Sequence, residues 1–228
     1  MQRRTLIALA ATAGPFIGAP AARAADIDDT WHDARRTRDV PVRVRWPAGD
    51  VPCALVVHSH GLGDSRDGAD AWGRAWQQAG FAVVHVQHTG SDTEVLKRGI
   101  GALRSAASAE QLRARVADMH FVVDEITRRV EQRGAGWSRV RLDALGAAGH
   151  SFGAVTVQAI AGQRFPVPAP DVAEPRCKAF IAFSPSLGQG IAPDAAFAGV
   201  TRPFLAVTGS LDSNALGRGM IAGCSAEP

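Results

Sequence analysis

The stretch Ala144-Leu145-Gly146-Ala147-Ala148-Gly149-His150-Ser151-Phe152-Gly153-Ala154-Val155-Thr156-Val157-Gln158-Ala159-Ile160-Ala161 decides the fold. It opens as a short apolar run, Ala144 to Ala148, of the kind that makes a buried strand. It then passes through Gly149-His150-Ser151-Phe152-Gly153 and continues as an apolar helix from Ala154 to Ala161. Five-residue G-x-S-x-G patterns arise by chance, and a plain glycine-rich turn is the bland alternative. Strand, turn and helix in this order are what a sharp nucleophile turn needs. A serine there takes a strained backbone angle, and Gly149 and Gly153 let strand and helix approach closely. The turn lifts the Ser151 hydroxyl clear of the sheet. The helix start offers backbone N–H groups and a positive dipole end to a developing anion.

Outward from that segment, the same alternation repeats. Val40, Val42, Val44 and Trp46 alternate with Pro41, Arg43 and Arg45. That pattern predicts a half-exposed strand with its arginines outward, at an edge because of Pro41. Ala54 to Val57 and Phe81 to Val86 read as buried strands, with a helix over 69–79 between them and Gly80 as its stop. Residues 92 to 133 read as largely helical. Ser108 and Gln111 form a capping box. Leu112, Val116, Met119, Val123, Ile126 and Val130 then make one apolar stripe, and Gly134 closes the helix. Pro166 to Pro175 is a proline-rich loop, and Ala179 to Phe183 and Phe204 to Val207 are further buried strands. Strands alternating with helices predict one α/β domain over 25–228, a three-layer sandwich around a mostly parallel sheet.

Two more segments point at Ser151. His60-Gly61-Leu62-Gly63 follows an early strand, where an H-G pair supplies a second backbone donor beside the glycine. The expected oxyanion hole is therefore the N–H of Leu62 with that of Phe152, supported by His60, Gly61, Gly149, His150 and Gly153. Val207-Thr208-Gly209-Ser210-Leu211-Asp212 places an acid after a late strand, 61 positions beyond Ser151. A turn aspartate is the alternative, since the same residues favour turns. With two motifs already converging, Asp212 is read as the acid partner.

With these residues in place, the chain resembles the α/β-hydrolase superfamily. More narrowly it is similar to predicted dienelactone hydrolases and platelet-activating-factor acetylhydrolase-like esterases. The matching segments are His58 to Gly63, Gly149 to Gly153 and Thr208 to Asp212, and the likeness covers residues 40 to 217. The resemblance implies ester hydrolysis through an acyl-enzyme, without a cofactor. The acetylhydrolase branch carries its acid one strand earlier, where this chain has Phe183-Ser184-Pro185-Ser186 and no acid, which favours Asp212. Dienelactone hydrolases proper use a cysteine nucleophile; here Ser151 stands in its place, so lactone specificity does not carry over.

The departure is the general base. The mechanism needs a histidine oriented by the acid, and in this fold it follows the acid. The seven histidines are His32, His58, His60, His85, His88, His120 and His150, all before Asp212. The expectation is therefore a C-terminally truncated hydrolase, its last strand and helix missing and its activity lost or impaired, or else a non-catalytic ligand-binding scaffold. No long insertion stands between Ser151 and Asp212, so small-molecule or polymeric esters are the expected substrates. His58-x-His60 and His85-x-x-His88 complete no set of metal ligands, and no metal site is expected. Asp64, Asp67 and Asp70 lack the glycine and acid placement of a calcium loop.

The first 24 residues read as an export signal. Arg3-Arg4 precede an apolar run from Leu6 to Ala13, and Ala22-Arg23-Ala24 is an A-x-A cleavage site. The twin arginines fit a Tat-like signal, so a periplasmic or secreted protein is expected. Gly14, Pro15, Gly18 and Pro20 argue against an amphipathic first helix. The whole chain of 228 residues carries 25 basic and 22 acidic groups, net +3. Arg3, Arg4 and Arg23 lie in the signal and no acid does, so the remainder has no net charge. No basic block with interleaved aromatics remains, which argues against nucleic acid as a partner. No apolar run of membrane-spanning length occurs, so no transmembrane anchor is expected. Cys53, Cys177 and Cys224 permit one disulfide and a leftover thiol. Cys53 and Cys177 each precede an apolar run, so they could be neighbours at one sheet edge; burial as small hydrophobes is the alternative.

Overall fold

A computed structural model describes residues 24–165, 172–186, 191–210 and 212. The segment read as an export signal, except Ala24, lies outside the described residues, as do Cys224 and most of the proline-rich loop. The elements are β1 (Ala25–Asp33), β2 (Arg38–Trp46), β3 (Cys53–Ser59), α1 (Asp70–Gln78), β4 (Ala82–Val86), α2 (Thr93–Lys97), α3 (Ile100–Ala106), α4 (Ala109–Glu131), β5 (Val140–His150), α5 (Phe152–Ile160), β6 (Cys177–Phe183), α6 (Pro193–Phe197) and β7 (Phe204–Val207).

The strands form one sheet in the order β1-β2-β4-β3-β5-β6-β7. The pairs β1/β2 and β2/β4 are antiparallel, and the four pairs from β4 to β7 are parallel. Parallel neighbours require crossovers, and α1, α4 and α5 fall in the connections that make them. Alternation along the strands splits the sheet into two faces. One face presents Val42, Val44, Leu55, Val57, Val84, Val86, Leu145, Ala147 and Phe180 to the α4 stripe and to α5; all are buried in one cluster with Val116, Met119, Val123 and Ile126. The other face carries His58 and His85 under α1. There a Cβ on Gly73 would lie 2.4 Å from His85 Nε2, so only glycine lets α1 sit this low. Helices on both faces of a mostly parallel sheet complete the three layers.

Four expectations need correction. β2 is not an edge strand, because β1 pairs along its whole length. The sequence of β1 is rich in aspartate and lacks the apolar run of a typical strand. It is held by the ladder and by ion pairs such as Asp28 with Arg43 at 2.7 Å. Arg45 does not point to water; it is fully buried, paired with Asp26 and with Asp70. Cys53 and Cys177 are both free and buried, and β5 lies between their strands. They are not neighbours at one edge, and burial lifts the Cys177 thiol to about 12. Finally, β7 is an exposed edge rather than a buried strand, with Leu205 55% and Val207 41% accessible.

Two helix ends also differ in detail. Ser108 Oγ accepts the Gln111 N–H at 3.1 Å, the first half of the capping box. The Gln111 amide does not reach back; it donates to the Thr89 carbonyl at 3.2 Å instead. After α4, Arg133 rather than Gly134 takes the left-handed turn, with φ 52°.

Candidate active site

Ser151 stands between β5 and α5 with φ 53° and ψ −115°. A non-glycine residue at such angles stores about 1–3 kcal/mol of strain. The neighbours hold it there. The Ser151 N–H donates to the Phe183 carbonyl of β6 at 2.9 Å, and its carbonyl accepts from Val155 at 3.2 Å. The glycines have measurable reasons. A Cβ on Gly149 would lie 2.3 Å from the Gly153 carbonyl oxygen, and one on Gly153 would lie 2.0 Å from that of Ser59. Ser151 itself is exposed, whereas α5 behind it is buried along its length.

The loop after β3 runs alongside. A Cβ on Gly61 would sit 3.6 Å from Ser151 Cβ and 3.3 Å from His150 Nδ1. Gly61 therefore lies against the serine turn. The loop is pinned on its far side, where the Gly63 N–H donates to the Ser91 carbonyl at 2.8 Å. Phe152 is the first residue of α5, and its N–H has no acceptor within the helix. His60 is buried and saturated. Its Nδ1 donates to the Gly61 carbonyl at 2.6 Å and its Nε2 accepts the His88 N–H at 3.0 Å. Burial first, then the Arg115 charge, holds it well below the usual imidazole range, so it stays neutral.

Asp212 is fixed by the turn that follows β7. Its Oδ2 accepts from Ser184 Oγ at 2.7 Å, Thr208 Oγ1 at 2.9 Å and the Gly209 N–H at 3.0 Å. The Gly209 N–H first, then the two hydroxyls, hold the carboxyl below the usual carboxylate range. His150 is half-buried and leans on Trp72, with ring centroids 5.8 Å apart. Trp72 in turn stacks on Phe183 at 4.0 Å and 8°. This pair forms an aromatic wall next to the serine turn. No hydrogen bond joins Ser151 Oγ to a histidine among the described residues.

Beneath the loop lies a polar network that the motifs do not announce. Ser59 Oγ donates to His88 Nε2 at 3.0 Å, and His88 Nδ1 donates to Asp118 Oδ2 at 3.0 Å. Asp118 also accepts from Arg36 at 2.7 Å and Arg38 at 2.8 Å. Burial would raise its pKa, but His88 and Arg38 bring it down to about 2. Burial and the Arg115 charge push His88 down to about 4, so the pair is a neutral imidazole on a carboxylate. Arg115, fully buried, donates to Thr156 Oγ1 at 3.0 Å, Ser91 Oγ at 2.7 Å, Ser59 Oγ at 3.0 Å and the His60 carbonyl. One signal in the sequence could have found it. Arg115, Asp118 and Val122 continue steps of three and four beside the apolar stripe of α4, so two charges sit on a core face.

No protein-family model and no curated protein matches the chain. Solved structures do. A Klebsiella pneumoniae protein described as a dienelactone hydrolase superposes with a TM-score of 0.57 at 15% identity, over 80% of this chain and 72% of its own. A cold-adapted esterase from an Arctic intertidal metagenomic library gives 0.56 at 16%, over 84% and 76%. The dienelactone hydrolase of Anabaena variabilis gives 0.54 at 17%, over 82% and 74%. The chain spans 29% of a Bacteroides ovatus protein described as a dipeptidyl aminopeptidase IV, at TM-score 0.56 and 15% identity. The chain thus has the α/β-hydrolase fold.

Proposed function

We propose that this chain of α/β-hydrolase fold is a serine carboxylester hydrolase working through an acyl-enzyme. The observation that carries the reading is Ser151 itself: an exposed hydroxyl on a strained backbone, at the head of a buried helix, beside Gly61. In this reading Ser151 Oγ attacks the ester carbonyl and the carbonyl oxygen becomes an oxyanion. The N–H groups of Leu62 and Phe152 receive that oxyanion. The alcohol leaves with a proton, and water then hydrolyses the acyl-Ser151 ester. Asp212, held ionised by three donors, is the acid that would orient the base. Small acyl or polymeric esters suit the site, with Trp72 and Phe183 as its apolar wall. The dienelactone hydrolases and the esterase named above support this class by fold. Export by the Tat-like signal would put the reaction in the periplasm or outside the cell.

The Ser151 proton must pass to a base, and none is hydrogen-bonded to it among the described residues. That observation favours one second reading, a non-catalytic ligand-binding scaffold. Chemical rescue separates the two. If Ser151 is a nucleophile lacking only its base, added imidazole raises p-nitrophenyl butyrate turnover above that of Ser151→Ala under the same conditions. A fluorophosphonate then labels Ser151. Equal turnover in the two proteins, with no labelling, sinks the esterase reading and leaves the scaffold.

A further inference from the structure

The proposed oxyanion hole has two halves from distant parts of the chain, the loop after β3 and the first turn of α5. Neither half holds the other directly through its own donors, since those must stay free for substrate. Arg115, on α4, touches both. Toward the loop, its Nη2 donates to the His60 carbonyl and, at 3.0 Å, to Ser59 Oγ at the end of β3. Its Nη1 donates to Ser91 Oγ at 2.7 Å, and the Ser91 carbonyl is the acceptor that pins Gly63. Toward the helix, its Nε donates to Thr156 Oγ1 at 3.0 Å, and that hydroxyl donates a hydrogen bond to the Phe152 carbonyl at 2.9 Å. The guanidinium also lies over the Phe152 ring, 4.8 Å from its centre.

We propose that Arg115 is a positioning residue that holds the Leu62 and Phe152 N–H groups in register as one anion site. The assignment rests on the Ser151 reading above. Its physical ground is the planar fork of a guanidinium, which fixes several partners at set angles as no flexible ammonium does. A second ground is its setting. Each hydrogen-bond partner of Arg115 is a neutral oxygen, and burying a cation without a hydrogen-bonded carboxylate is expensive. Packing alone would be served as well by apolar side chains. A rigid brace across two segments is what the charge and its N–H fork supply. Burial lowers its pKa only to about 9, so it remains charged at neutral pH.

The test uses the full chain and propylboronic acid at pH 8. Ser151 Oγ adds to boron, its proton leaves to solvent, and the tetrahedral boronate occupies the anion site without needing a histidine. Binding is read by the upfield ¹¹B resonance of the tetrahedral adduct, and the donors by the amide proton shifts of Leu62 and Phe152. Arg115→Met is expected to weaken the adduct by about tenfold or more. It should also reduce the amide shifts at both positions, and Arg115→Lys should recover part of the loss. Thr156→Val removes only the link to α5 and covers the case in which Arg115→Met does not fold. It is expected to weaken the adduct by about threefold, with the Phe152 shift affected more than that of Leu62. Wild-type affinity and wild-type amide shifts in both variants, with the adduct still lost in Ser151→Ala, overturn the role of Arg115 alone. No tetrahedral adduct in the wild type, or an undiminished one in Ser151→Ala, overturns the Ser151 reading and this assignment with it.

Discussion

Ser59 ends β3 and Ser151 directly follows the parallel neighbour β5, and the two serines have complementary surroundings. Ser59 has the hydrogen-bond order of a catalytic triad, hydroxyl to His88 to Asp118, but every member is fully buried. Ser151 has the strained backbone, the exposure and the helix N-terminus, but no histidine hydrogen-bonded to its hydroxyl among the described residues. The contrast shows what a nucleophile requires. Hydrogen-bond order is cheap to assemble in a polar core, where every buried donor needs an acceptor. Access and pre-aimed anion donors are not by-products of core packing. Ser59 also accepts from Arg115, so its hydroxyl is committed to tying β3 to α4 and to the loop after β4. His88, lowered to about 4, is a poor base near neutrality.

The sharpest way to break this comparison is covalent labelling. A fluorophosphonate is expected to modify Ser151 and leave Ser59 untouched. Ser151→Ala should reduce labelling to background, while Ser59→Ala should retain it in the folded fraction. The reverse pattern, mapped by peptide mass spectrometry, would make the buried relay the functional one. The two acids offer the next contrast. Asp118→Ala leaves Arg38 and His88 without their carboxylate and Arg36 with Asp33 alone, and should cost about 3–5 kcal/mol in urea denaturation. Asp212→Ala, at an exposed turn, should stay within about 0.5 kcal/mol. Equal losses would mean that Asp212 is held for stability and not for the site.

The same contrast explains what could be read in the sequence. The Ser151 turn was legible because its demands are local: Gly149 and Gly153 stand two positions either side, and each answers a backbone contact under 2.5 Å. The α4 stripe was legible because helical period repeats over six positions. The relay was not, since Ser59, His88 and Asp118 come from a strand, a loop and a helix, and nothing local marks their meeting. Arg45 and β1 failed for a related reason. Alternation of charge and apolar residues reads as solvent exposure, yet the partners that bury Arg45 are Asp26 and Asp70, on elements the pattern of β2 does not contain.

Two glycines test the steric half of the comparison. Gly153→Ala would place its Cβ 2.0 Å from the Ser59 carbonyl and force apart the two strand ends that carry the serines. The expected loss is about 1–3 kcal/mol, with weaker Ser151 labelling. Gly101→Ala, in α3 with nothing within 4 Å of the new methyl, should instead stabilise by about 0.5–1 kcal/mol. A neutral Gly153→Ala would mean that the turn has more room than its contacts allow.

Acid sensitivity belongs to the buried histidines and not to the exposed serine. Burial first, then neighbouring arginine charge, lowers His88 to about 4 and His85 to about 3. In the unfolded chain each takes a proton near 6.5, so between that pH and its folded value the unfolded state binds more protons. Stability is therefore complete above about 6.5 and falls as pH drops, by up to about 1.4 kcal/mol per pH unit for each histidine. His120 works in the opposite sense: Glu174 raises it, so its contribution is complete below 6.5 and is lost as pH rises through its folded value. Urea midpoints between pH 6 and 4.5 should thus decline steeply in the wild type and in Ser151→Ala alike, because the exposed serine carries none of the effect. His88→Gln should remove one proton's worth of that slope, whatever it does to stability at pH 7. An unchanged slope in His88→Gln would mean that His88 is protonated in the folded state, with the relay an ion pair rather than a neutral imidazole on a carboxylate.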